Sequence, residues 1–110
     1  MARKKSGLKL TFLIYPSEDS PGKYVAHCLE LDVVAVGRAE PEAITLLKEL
    51  ITELWKAAAK DGTLDDIINP APAQFWRQLL HAEPYEPPHE VTKRHIKAPE
   101  IDGVTYVRAA

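Results

Sequence analysis

Cysteine is almost missing from this chain. Cys28 stands alone among 110 residues, which excludes an internal disulfide framework and fits a reducing compartment. A strong charge of either sign is missing as well: the formal net charge is -2, so no global attraction to a polyanionic partner is expected. Long apolar runs are absent. The best of them, "LKLTFLIYP", follows the basic Arg3-Lys4-Lys5, as the core of a signal peptide would. Yet Lys9 interrupts it, Pro16 ends it, and no small-residue cleavage site follows. Nothing approaches the length that spans a bilayer, and a cytoplasmic protein without membrane contact is the expectation. Gly-rich phosphate loops, nucleophile elbows and H-E-x-x-H patterns are also lacking, so no cofactor is expected.

What is present suits one globular domain, with 45% hydrophobic and 27% charged residues. Residues 8–15 alternate as a half-buried strand does, and "PSEDSPG" after them has turn composition. Two more strands are expected at 23–29 and 32–36, giving an antiparallel meander that Gly37 ends. Residues 41–60 then repeat apolar side chains at helical spacing: Ala43, Leu47, Leu50, Ile51, Leu54 and Ala58. Glu42, Thr45, Lys48, Glu49, Thr52, Glu53 and Lys56 are assigned to the opposite, solvent face. Pro41 suits the first turn and Asp61-Gly62 the stop. One helical turn is expected at 64–68 and a short helix at 74–81. A proline-rich linker, 83–90, precedes two strand-like runs at 91–97 and 104–108. The expected fold is α+β: a three-stranded antiparallel meander packed by one long helix, then a short helix and a C-terminal two-strand extension. Its parts are 1–62, 63–83 and 84–110.

The densest chemistry lies in "HCLELD", residues 27–32. Neighbours on a strand point to opposite faces, so His27 and Cys28 cannot readily share a metal ion or act as a nucleophilic pair. Cys28 is expected to be a small buried hydrophobe. Glu30 and Asp32 would face the same way in an extended chain, and paired carboxylates can hold a divalent cation or share acid–base work. Solvated turn residues are the commoner outcome. Trp55, at the margin of the helix stripe, and Phe75 and Trp76, in the short helix, are candidate partly exposed interface anchors, and with Glu30 and Asp32 they make up the candidate partner-binding residues. Lys93, Arg94 and Lys97, with His95, form a basic cluster that could touch nucleic acid. Lysine on an edge strand also serves to block unwanted pairing, and only Tyr106 is near enough in sequence to stack a base.

The segment "YVAHCLELDVVAVGRAEPEAITLLKELI", residues 24–51, resembles the HicB-like antitoxin family. The residues that carry the likeness are Tyr24, Ala26, Cys28, Glu30, Leu31, Gly37, Glu42 and Ala43, and the match spans 8–60. The chain departs from the family where Arg38-Ala39 follows the glycine instead of Asp-Thr. It also has no helix-turn-helix or ribbon-helix-helix pattern after Lys60, so the resemblance does not extend to operator DNA. What it implies is a truncated ribonuclease-H-like fold without catalytic carboxylates. Such a domain binds proteins, and as an antitoxin it neutralises a small HicA-like RNA-cleaving toxin. The alternative from another class is a metal-dependent ribonuclease-H-like nuclease using Glu30 and Asp32. A homodimer or larger assembly is expected, joined by exchange of the C-terminal strands through the proline linker.

Overall fold

The alternation in residues 8–15 becomes β1 (Leu8–Pro16), the strand around which the rest is assembled. The computed structural model describes residues 7–110, and the basic Arg3-Lys4-Lys5 run lies outside them. Leu10, Phe12 and Ile14 fill the cluster on one face of β1 and Leu13 that on the other, and all four are fully buried. A strand covered on both sides should read as a nearly continuous hydrophobic run, and β1 does.

β2 (Tyr24–Cys28) and β3 (Val33–Gly37) complete the antiparallel meander, with Leu13 opposite His27 and His27 opposite Val34. The long helix α1 (Glu40–Asp61) then lies over β2 and β3. Gly37 makes that approach feasible. A Cβ there would sit 2.6 Å from the Ala43 backbone nitrogen, so any other residue would push the helix off the strand end. Ala39 provides no side-chain cap. Glu42 reaches back instead, its carboxylate accepting the Arg38 N–H at 2.6 Å; that bond holds the Glu42 carboxyl below its usual range. At the far end Gly62 takes the left-handed conformation and its N–H closes onto the carbonyls of Ala58 and Ala59.

The buried stripe of α1 is Ala43, Ile44, Leu47, Lys48, Ile51, Trp55 and Ala58. This corrects the expected face on both flanks. Leu50 is 43% exposed, whereas Lys48 and Trp55 are only 5% and 4% exposed. The physical reason is the path of residues 91–98, which run along the Lys48–Trp55 flank and add a wall to the core there. The opposite flank has no such cover.

After α1 the chain crosses the sheet twice. A 3-10 turn (Leu64–Ile67) packs Leu64 and Ile67 on the helix side. The chain then passes to the other face, where α2 (Ala73–Arg77) and a following 3-10 turn (Gln78–Leu80) set Phe75, Trp76 and Leu79 against Leu13 and Leu29. The Trp76 indole N–H is satisfied by the Ala71 carbonyl at 2.9 Å. β4 (Glu83–Pro84) forms at the start of the proline-rich stretch. The run expected as a strand at 91–97 is instead α3 (His89–Thr92), opened by Pro88, and irregular chain. Pro88 supplies the fixed φ of a helix start, and Val91 turns inward to the helix-side core. The last strand, β5 (Ile101–Arg108), begins three residues earlier than expected.

β5 inserts between β1 and β4, parallel to β1 and antiparallel to β4, so the sheet order is β3-β2-β1-β5-β4. The fold is α+β with a mixed five-stranded sheet. The tail strand thus fills the side of β1 that a three-stranded meander would leave bare. Arg108, near the end of β5, locks this arrangement with a two-pronged ion pair to Glu40 at the start of α1, at 2.8 and 2.9 Å.

Candidate functional site

The "HCLELD" stretch spans the end of β2 and the turn into β3, and its polar groups are all engaged. His27 and Cys28 do face opposite sides of the sheet. Burial pushes the Cys28 thiol up to about 12; a thiol held protonated in this way is no nucleophile at neutral pH. His27 lies on the other face, 2% exposed, edge-on to Phe75 with ring centroids 4.6 Å apart. Its Nδ1 is 3.1 Å from the Tyr15 hydroxyl and its Nε2 is 2.8 Å from Asp32 Oδ1. In a neutral ring, Nε2–H donated to the carboxylate leaves Nδ1 to accept the Tyr15 O–H. Burial first, and the Asp32 charge second, raise the Tyr15 phenol above its ordinary value, so it stays a donor.

Glu30 and Asp32 do not converge. Asp32 sits in the left-handed region, φ 54, which aspartate tolerates better than most residues, and turns to His27. Glu30 turns to β1, where its two oxygens accept the Thr11 N–H at 2.7 Å and the Thr11 Oγ–H at 2.9 Å. The bond from the Thr11 N–H has a backbone cause. Leu29 donates its N–H to the Thr11 carbonyl, but its own carbonyl accepts from Ala71 at 2.8 Å. The Thr11 N–H is therefore left for a side chain, and Glu30 supplies it. Among the described residues no group of three His, Cys, Asp or Glu is placed to hold a metal ion.

A broad depression in the surface lies elsewhere, between α1 and residues 94–100. It encloses about 1010 Å³, and its lining includes Thr52, Lys56, Arg94, Lys97 and Glu100. Lys48 lies at its inner edge and at that of a smaller neighbouring recess of about 370 Å³ beside Tyr106. The Lys48 ammonium donates to the carbonyls of Val91 and Arg94, both at 2.9 Å, and stands 5.1 Å from the centre of the Tyr106 ring. Burial lowers its pKa to about 8. The side chain is a clamp: it closes the carbonyls at the end of α3 and holds that turn on α1. Its role was missed because it follows Leu47 on the shoulder of the apolar stripe, a position that reads as solvent-facing until a third element covers it.

The other candidates are scattered. Trp55 is a core residue, its indole N–H bonded to Glu100 at 2.9 Å, and does not present an interface anchor. Phe75 and Trp76 are half-buried on the opposite face, in contact with the second core cluster. Arg94 and Lys97 line the large depression, whereas Lys93 does not. Arg94 lies 3.9 Å from Glu49 in an exposed pair, and the Lys97 backbone N–H donates to Thr52. Two of the three cations thus border the depression, and Arg94 among them is paired with an acid. Among the described residues no helix is long and apolar enough to cross a membrane. Comparison with protein-family models, with curated proteins and with solved structures returns no match.

Proposed function

We propose that this chain is a non-catalytic, HicB-like protein-binding module, and that it acts as an antitoxin by covering a small HicA-like RNA-cleaving toxin. The observation that carries the reading is the order of elements. A three-stranded meander, one long helix and a return strand parallel to β1 are the elements, in the order, that the ribonuclease-H-like fold implied by the resemblance over residues 24–51 calls for. The central strand β1 contains no carboxylate. Metal-assisted cleavage of a phosphodiester requires carboxylates that converge on the ions, and here Glu30 and Asp32 serve Thr11 and His27. The nuclease alternative therefore has less support than binding.

A protein that cleaves RNA must present cationic groups to phosphate. Exposed acids along and beyond α1, Glu49, Glu53, Asp61, Asp65 and Asp66, offer the complementary charge. The test is co-expression with the small reading frame adjacent to the gene, followed by pull-down and a growth assay. The expected result is a toxic neighbour that co-purifies with this chain and is silenced by it. Glu49→Lys with Glu53→Lys should weaken the complex without unfolding the protein. A neighbour that is neither toxic nor retained would overturn the antitoxin reading.

A further inference from the structure

The two edges of the sheet are built differently. One edge is β4, only two residues long and ending in Pro84, which has no N–H to offer an incoming strand. The other is β3, "VVAVG", with neither charge nor proline along it. Natural edge strands are usually blunted by such residues because an open ladder recruits further strands. β3 lacks every one of these devices.

Its hydrogen-bonding parity is fixed by the rest of the sheet. The Leu29 N–H bonds to Thr11, so alternate residues Val25 and His27 also point their backbone groups at β1. Tyr24, Ala26 and Cys28 then face β3 and use Gly37, Ala35 and Val33. The N–H and C=O groups of Val34 and Val36 are left pointing outward. Their side chains are also bare, 46% and 43% exposed. Leu46 and Leu50 lie 200° round the helix from Lys48, whose flank faces β5, so they border the same edge. They are 40% and 43% exposed. These are four of the six exposed large hydrophobic residues among those described.

We propose that β3 pairs with β3 of a second copy of this chain, antiparallel, about a two-fold axis through Ala35. That register places Val34 opposite Val36 of the other copy, twice, with outward backbone groups matched donor to acceptor. It also places Asp32 opposite Arg38 at both ends, so opposite charges meet and no like charges do. The Arg38 side chain is 84% exposed and the Asp32 side chain 34% exposed; each keeps a partner within its own copy, Glu42 and His27, so the contact across the seam would be shared with those pairs. The two α1 helices bring Leu46 and Leu50 together above the joined sheet. A surface that complements itself under one rotation is what an isologous dimer requires, which favours a second copy over an unrelated strand. The interface is separate from the expected exchange of C-terminal strands.

Sedimentation of the full chain at micromolar concentration should show a dimer, and Val34→Lys should raise its dissociation constant at least about tenfold, the value of one buried valine. Ala35 forms the non-hydrogen-bonded pair across the axis, where Cα atoms lie about 4.5 Å apart, within the range a disulfide spans. Ala35→Cys should therefore cross-link to itself under mild oxidation. Val33→Cys, which falls opposite Gly37, should not, and the buried Cys28 of the wild type should not. A monomeric wild type would overturn the proposal. So would a dimer that neither cross-links through Ala35→Cys nor responds to Val34→Lys. None of these readings depends on a toxin partner.

Discussion

In residues 8–62 each element rests on the one next to it in sequence. β1 pairs with β2, β2 with β3, and α1 folds back over the strands that precede it. In residues 63–110 the elements lie mainly on the first half. The turn at 64–67 packs on the helix side, α2 on the far face of the sheet, α3 and residues 96–98 back on the helix side, and β5 along β1. The second half supplies walls on both faces and takes its own order from what it covers. The two halves are joined by a few long-range ties, Glu40–Arg108, Lys48 to Val91 and Arg94, and Leu29–Glu30 to residues 69–71, and cooperativity rests on these.

The sharpest way to probe that division is to damage the shared core. Leu47 is fully buried beneath both halves, and Leu47→Ala should cost roughly 2–5 kcal/mol. Glu53→Ala, on the exposed side of the same helix, should stay within about 0.5 kcal/mol. Chemical denaturation of the pair checks the face assignment, and equal losses would refute it. The ties come next. Glu30→Ala strands the Thr11 N–H, and Lys48→Ala strands the Arg94 carbonyl and leaves the Val91 carbonyl with its backbone partner alone, each an expected loss of about 1–3 kcal/mol. A Glu30→Ala protein as stable as the wild type would mean that the carboxylate is not structural, and would return it to the list of chemical candidates.

The smallest effect is a slope against pH. The Lys48 pKa is lowered to about 8 in the fold from an ordinary 10.5, so between these values the unfolded chain binds more protons. Stability from this group is therefore present above about 10.5 and is lost as pH falls toward 8. Cys28 works in the opposite direction from pH 9 upward, because its raised pKa makes the folded state hold the proton longer. Between pH 8 and 9 the wild type should gain stability relative to Lys48→Met. A flat difference across that window would show that the ammonium is better solvated than its burial implies.

The two halves also differ in how far sequence reveals them. The meander and α1 were legible because their signals are local: alternation, helical spacing, Gly37 at a strand end, Gly62 at a helix end. The non-convergence of His27 and Cys28 followed from strand geometry alone. Glu30 was harder. Its extended-chain geometry put it beside Asp32, but its destination depends on the Leu29 carbonyl being taken by Ala71, forty-two residues on. Lys48, Leu50 and Trp55 were misplaced for the same kind of reason. Helical spacing fixed the stripe only to within one flank, and residues 91–98 decided which flank closed. Val91–Ile96 carries the β-branched residues of a strand, yet Pro88 and the Lys48 clamp make its beginning helical.

β5 belongs to the sheet as the neighbour of β1, not to an appendage beyond the linker. The most direct test of that placement is the thermal unfolding of a chain ending at Ala82, followed by circular dichroism beside the full chain. Such a truncation uncovers one whole edge of β1 and removes Val91, Ala98, Val104 and Tyr106 from the helix-side core. Cooperative unfolding should be lost. A truncated protein that melts cooperatively at the midpoint of the full chain would contradict it.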